Sequence, residues 1–315
     1  MTAIDPVVLF FLLGLAAGLS RADLRLPPAI YEFLTILLLL TIGLKGGVEL
    51  AAQPFGALLP QMVVVVLAGV LLPLMAYPVL RLVGRLARPD AASIAAHYGS
   101  VSVGTYAVAV AYLAYRQVAY EEYVAVFLVL LEMPAIVVGV LLARGINRGT
   151  RWRALAHEVL LGKSIVLLVG GLLIGWAAGA DGIQPIAPLF MDLFKGVLAL
   201  FLLEMGLIAA GQTESLRRHG LFLIGFGVVM PVVCGVLGTG LGWSLGLSIG
   251  GTALLATLMA SASYIAVPAA MRLSVPEANP ALSLAASLGV TFPFNILVGI
   301  PLYHRFAEAL HRLGG

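Results

Sequence analysis

The chain has 315 residues, of which 61% are apolar and only 10% charged, with a net charge of +3. A soluble domain carries about 25% charged residues, so neither a soluble globule nor a disordered chain fits this composition. The lone Cys234 excludes an internal disulfide and any cysteine-based metal site. Apolar runs, each long enough for a bilayer core of about 30 Å, recur along the chain. In chain order they predict spans at 4–19, 28–48, 60–80, 91–115, 122–142, 164–180, 188–210, 220–242, 249–272 and 280–303. The first lacks a basic flank and carries Asp5, so it reads as a retained span and not as a signal peptide. The loop cations, among them Arg81, Arg85, Arg88, Arg144, Arg148 and Arg217, fall largely on one face. That bias predicts a cytoplasmic face and two extracytoplasmic termini, and it accounts for the basic charge without a nucleic-acid partner.

The basic stretch 143–163 divides the ten spans into two groups of five, giving a first repeat at 1–142, a cytoplasmic linker, and a second repeat at 164–315. An odd number per half inverts the second half in the bilayer. Three matches support homology of the halves. TIGLKGG at Thr41 answers EMGLIAAG at Glu204, SVSVGTYAVAVAYL at Ser100 answers SASYIAVPAAMRL at Ser261, and LEMPAIVVGV around Pro134 answers TFPFNILVGI around Pro293. All three keep their order at a nearly constant separation of roughly 160 residues. The expected fold is an all-α polytopic membrane protein of ten helices in two inverted repeats, with discontinuous helices at the midplane.

The expectation of discontinuity comes from two spans. Ser100 lies ten residues past Asp90, about 15 Å along a helix and so near the midplane. Ser261 and Ser263 reach that depth from the other side. Gly99, Gly104 and Thr105 surround the first hydroxyls, and Tyr264 and Pro268 follow the second, all compatible with a broken helix. Half-helix N-termini supply unpaired N–H groups, and hydroxyls add donors without a trapping charge, a combination suited to a small dehydrated anion. The expected anion-binding set is therefore Gly99, Ser100, Ser102, Thr105, Ser261, Ser263 and Tyr264, with Ser102 and Ser263 donating to one ligand. The bland alternative is that such hydroxyls bond their own backbone or let helices pack closely. Mid-span Glu132, with Thr291 and Asn295 flanking Pro293, offers oxygens for a coupling sodium ion. Glu132 and Glu204 could equally pair with Lys45 or Lys195, or bond to backbone. His97 and Tyr98 read as packed residues, and Ser248 as an inert one. Neither a transition-metal cluster nor a catalytic acid, base and nucleophile set is visible, so no cofactor and no enzyme activity are expected.

The runs LMASASYIAVPAAMRLSVPEANPALSLAASLGVTFPFNILVGIPLY (258–303) and LPPAIYEFLTILLLLTIGLKGG (26–47) resemble the two signatures of the sodium-dependent bicarbonate transporter superfamily. The resemblance implies a core domain moving against a gate domain in elevator fashion. It also implies a homotrimer, sodium-coupled uptake of bicarbonate across a bacterial plasma membrane, and a small PII-like regulatory partner. Three departures stand beside it: Gly104 where the family has a hydroxyl, Glu132 where it has an aspartate, and a central loop shorter than in the well-known permeases. A sodium- or proton-coupled carrier of another small anion is the nearest alternative, and a non-transporting membrane receptor or scaffold the alternative of another class.

Overall fold

The computed structural model describes residues 5–145, 152–213 and 220–314, and among them all regular structure is helical. Helix α1 (Pro6–Leu19) opens with Asp5, whose carboxylate accepts from the Val7 N–H at 3.0 Å. It is followed by α2 (Pro28–Ala52) and α3 (Phe55–Pro78), the latter extended by a wide turn at Val79–Val83. Next come α4 (Arg88–Gly99), α5 (Val103–Tyr115), α6 (Ala125–Arg144) and α7 (Trp152–Leu161). Then follow α8 (Lys163–Ile183), α9 (Phe194–Gly211) and α10 (Leu221–Ser244). The chain closes with α11 (Ile249–Met259), α12 (Ala266–Ser274) and the long α13 (Pro280–Gly314).

Seven of these helical runs are long and apolar enough to cross a membrane. The other three expected spans take a different form. The run 4–19 gives the 14-residue α1, while 91–115 and 249–272 each split into two shorter helices, α4 with α5 and α11 with α12. Large apolar side chains such as Leu67, Leu71, Leu173, Trp176 and Val229 stand more than half exposed on the outer surface, as lipid contact requires.

Three helix pairs cross at backbone contact among the described residues: α2 with α8, α1 with α9, and α10 with α11, where a Cβ on Gly238 would lie 2.7 Å from the Ala256 Cα. A Cβ on Gly43 of α2 would lie 2.5 Å from the Leu168 carbonyl of α8, and one on Gly206 of α9 would lie 2.3 Å from the Phe11 carbonyl of α1. Only glycine permits this, and in an apolar solvent such close approach is a main source of helix association. Gly43 and Gly206 are matched positions of the TIGLKGG and EMGLIAAG segments. Glu204 takes a structural role beside this crossing, accepting from the Leu26 N–H at 3.2 Å, and Lys45 lies over the Phe194 ring at 5.4 Å.

The stretch 143–163 is not wholly a linker. Its sequence WRALAHEVLL forms α7, because apolar residues recur at helical spacing. Leu155 and Val159 bury themselves against Ile136 and Val140 of α6 and Val267, Ala270 and Met271 of α12. Ser248 is not inert either. It caps α11, its Oγ accepting from the Gly251 N–H at 3.1 Å, while its own N–H and hydroxyl donate to Glu121 at 2.8 and 2.9 Å. The loop before α6 thus holds the start of α11. In the same way Asp90 of α4 accepts from the Asn279 N–H, in the loop before α13, at 2.7 Å.

Candidate functional site

Both broken spans are interrupted for local reasons. Helix α4 stops where Ser100 turns to extended backbone, at φ −90° and ψ −178°. Ser102 restarts α5 as its cap, with Oγ accepting from the Thr105 N–H at 3.1 Å. In the second span Pro268 has no N–H, and its ring would clash with the Tyr264 carbonyl if a helix ran through both. Residues 260–265 are accordingly non-helical, and Pro268 falls in the first turn of α12, where it costs nothing.

The two interruptions meet. The Ser102 N–H donates to Ser261 Oγ at 2.9 Å, and the Ser261 hydroxyl donates in turn to the Leu258 carbonyl at 2.8 Å. One step along, the Ser263 N–H donates to the His97 carbonyl at 2.8 Å, and His97 Nδ1 lies 2.6 Å from the Ser263 carbonyl. All of these residues are buried. The chain has therefore paired its own loose backbone, a requirement wherever backbone leaves a helix at membrane depth.

This pairing sorts the expected anion ligands. Ser261 has spent its proton on Leu258, and Thr105 has spent its own on Ser102 Oγ at 2.8 Å, so both hold the frame. Gly99 serves close packing, since a Cβ there would lie 2.5 Å from the Pro73 ring. Four hydroxyls keep a proton not committed among the described residues: Ser100, Ser102, Ser263 and Tyr264. Ser100 Oγ and Tyr264 OH are buried without a hydrogen-bond partner among the described residues. Ser102 and Ser263 each give their backbone N–H to the other span, to Ser261 Oγ and to the His97 carbonyl.

Gly104 explains how Tyr264 reaches the start of α5. A Cβ at residue 104 would lie 2.4 Å from the Tyr264 hydroxyl and 2.8 Å from Phe201 Cε1 of α9. Phe201 stacks on Tyr31 at 5.7 Å, and Tyr264 packs edge-on against Phe292 at 5.4 Å. The phenol thus stands over the first turn of α5, where the Val103 and Gly104 N–H groups have no acceptor among the described residues. Unpaired helix N–H groups beside a free phenol hydroxyl make a donor-rich, cation-free pocket wall.

The expected sodium ligands are not brought into one shell. Thr291 Oγ1 donates to the Gly227 carbonyl at 2.7 Å and accepts from Tyr98 OH at 2.6 Å. Asn295 donates to the Ala260 carbonyl at 2.9 Å and accepts from Tyr303 OH at 2.8 Å. Both are clamps between helices, and Tyr98 is part of one of them. Glu132 lies elsewhere, on a cavity of about 120 Å³ walled by Ile136, Val159, Ser164 and Ile265, with Oε2 lacking a hydrogen-bond partner among the described residues. It pairs with neither lysine that the sequence offered. Lys163, at the cavity's rim, sits 3.7 Å from Glu32.

Sequence reasoning missed the Glu121–Ser248 cap and the two hydrogen bonds between His97 and Ser263. The only available signal was an acidic residue shortly before one span and a serine at the start of another, which no spacing rule connects. Among described residues no cluster of His, Cys, Asp and Glu could hold a metal ion.

No individually curated protein matches the chain. The sequence profile of the Na+-dependent bicarbonate transporter superfamily matches residues 6–308, nearly the full length, and the chain belongs to that family.

Proposed function

We propose that this protein is a secondary active transporter coupling sodium entry to bicarbonate uptake across a bacterial plasma membrane. Family membership makes it a membrane transporter and not an enzyme. The observation that carries the finer reading is the meeting of two interrupted spans, where the Ser100 and Tyr264 hydroxyls and the first N–H groups of α5 have no partner among the described residues. A small anion finds donors there without a fixed positive charge, so it binds and still leaves.

An inverted arrangement of 1–142 and 164–315 is supported by the packing. Helix α1 lies on α9 as α8 lies on α2, and the sequence-matched Gly43 and Gly206 occupy the two crossings. In this reading α1, α2, α8 and α9 form the gate. The broken spans with α3, α6, α10 and α13 form the core that moves against it, and both termini are extracytoplasmic. A homotrimer and a PII-like regulator follow from the resemblance alone. Of the three residues expected to hold sodium, Glu132 is the one with a free oxygen facing a cavity and remains the candidate. Gly104 favours one second reading, a carrier of another small anion, because Tyr264 supplies the hydroxyl that residue 104 lacks.

Labelled-bicarbonate uptake into proteoliposomes with imposed gradients tests the proposal. Uptake should require an inward sodium gradient and be indifferent to a proton gradient of equal size. Uptake driven by protons alone, or no uptake of bicarbonate beside uptake of another anion, overturns it.

A further inference from the structure

On the side of the crossing where α4 begins and α12 ends, a second cavity of about 170 Å³ opens. A water occupies about 30 Å³ of liquid, so the space suits an ion of several heavy atoms. Its walls include Ser93 and His97 of α4, one helical turn apart, and Met271 and Arg272 of α12, with Val275 and Leu284. It is distinct from the donor pocket at the start of α5, which Tyr264 and Phe201 close.

The chemistry of His97 is fixed by its bonds. A carbonyl oxygen can only accept, so the 2.6 Å contact with Ser263 places the ring proton of the neutral imidazole on Nδ1. The His97 backbone carbonyl holds Ser263 as well, so the ring is tied in place from two points. Nε2 then presents a lone pair and makes no hydrogen bond among the described residues. Arg272, an exposed residue, lines the same cavity and brings a positive charge to it, and among the described residues it enters no ion pair. Ser93 is occupied with Ser283 at 3.0 Å. The cavity thus offers one permanent cation and one immobile acceptor.

That pair fits an unusual ligand class. A bare anion such as chloride or nitrate satisfies Arg272 and leaves Nε2 facing negative charge. A cation satisfies Nε2 and is repelled by Arg272. An oxyanion that still carries an O–H does both, its charged oxygens toward the guanidinium and its hydroxyl donating to Nε2. A site built around a ligand hydroxyl discriminates strongly against analogues without one. We infer that this cavity is a second anion site, selective for hydrogen oxyanions of the bicarbonate type, with His97 Nε2 as the selective acceptor and Arg272 as the counter-charge. The inference rests on the reading of the chain as an anion carrier, and in the proposed topology the site lies on the cytoplasmic side, where cargo leaves.

The test is nitrogen NMR on protein labelled with ¹⁵N-histidine in lipid nanodiscs, at fixed pH and ionic strength. The His97 signals are assigned by their loss in His97→Asn, whose amide nitrogen takes the place of Nδ1 and keeps the bond to Ser263. Sodium bicarbonate should shift the His97 Nε2 resonance saturably, and sodium nitrate should not. In Arg272→Gln the half-saturating bicarbonate concentration should rise at least tenfold. A His97 resonance that ignores bicarbonate, that moves equally with nitrate, or that titrates unchanged in Arg272→Gln overturns the site. Should His97→Asn fail to fold, the His97 signals are those that survive single substitutions of His157, His219, His304 and His311, and the wild-type titration then decides the matter. Saturable His97 shifts without bicarbonate uptake would sink the carrier reading and leave the site, while uptake without shifts would do the reverse.

Discussion

The two interrupted spans differ in how completely they are tied down. The first breaks for three residues, Ser100 to Ser102, and restarts at once under the Ser102 cap. The second breaks for six, from Ala260 to Ile265, and α12 begins at Ala266 with no side-chain cap from Ile265. The first gives its backbone N–H to the second, and the second gives one back to the first. The difference lies in the side chains: the short break presents a fixed helix start with open N–H groups, and the long one supplies the bulky adjustable partner, Tyr264. A site assembled from a rigid donor edge and an adaptable lid can hold a ligand without being built wholly around it.

The largest expected effect comes from closing the space between the two breaks. Gly104→Ala puts a Cβ within 2.4 Å of the Tyr264 hydroxyl, and uptake should fall at least a hundredfold. Adding Tyr264→Phe, which removes that oxygen, should recover part of the loss; a double variant no better than Gly104→Ala would mean that Phe201, and not the phenol, sets the fit. Next in size is Glu132→Gln, which keeps an oxygen and loses the charge that offsets ion dehydration. Sodium activation should weaken at least tenfold at unchanged thermal stability. If sodium activation is unaltered, Glu132 is structural.

Smaller effects separate frame from ligand contacts. Ser261→Ala removes the acceptor for the buried Ser102 N–H, a loss of about 1–3 kcal/mol. Detergent melting should report it as a lower Tm. Ser248→Ala, on the far side of α11, should cost about 1 kcal/mol through its cap and leave the half-saturation constant for bicarbonate unmoved. A shifted half-saturation constant in Ser248→Ala, or an unchanged Tm in Ser261→Ala, would erase the distinction between the two roles.

Much of this architecture is legible in the sequence because the bilayer simplifies the code. Apolar runs of span length give the long helices, and Pro268 with the flanking serines gives one break. The repeat match between Thr41 and Glu204 finds two glycines at helix crossings. Partnership is what the sequence does not carry. Thr291, Asn295 and Glu132 looked equivalent as mid-span oxygens, yet two are clamps and one is left open, and that depends on which helix packs alongside. Ser102 and Ser263 share a repeat position, yet their backbone N–H groups find different acceptors, Ser261 Oγ and the His97 carbonyl, which no spacing rule foretells. The amphipathic α7 was hidden by its arginines, which the topology rule had already claimed.

The glycine crossings of α1 with α9 and of α2 with α8 carry a mechanical consequence. Where two backbones touch, there is no side chain to bend and absorb a displacement, so sliding one helix along the other drives a carbonyl into a Cα. These four helices therefore behave as keyed beams, stiff under shear, and amide exchange along them should be the slowest in the molecule. Compliance has to reside where side chains cushion the contact, as at Leu155 and Val159 of α7 against α12. The second break thus lies between a stiff crossing, α10 on α11, and a pliant one, α7 on α12.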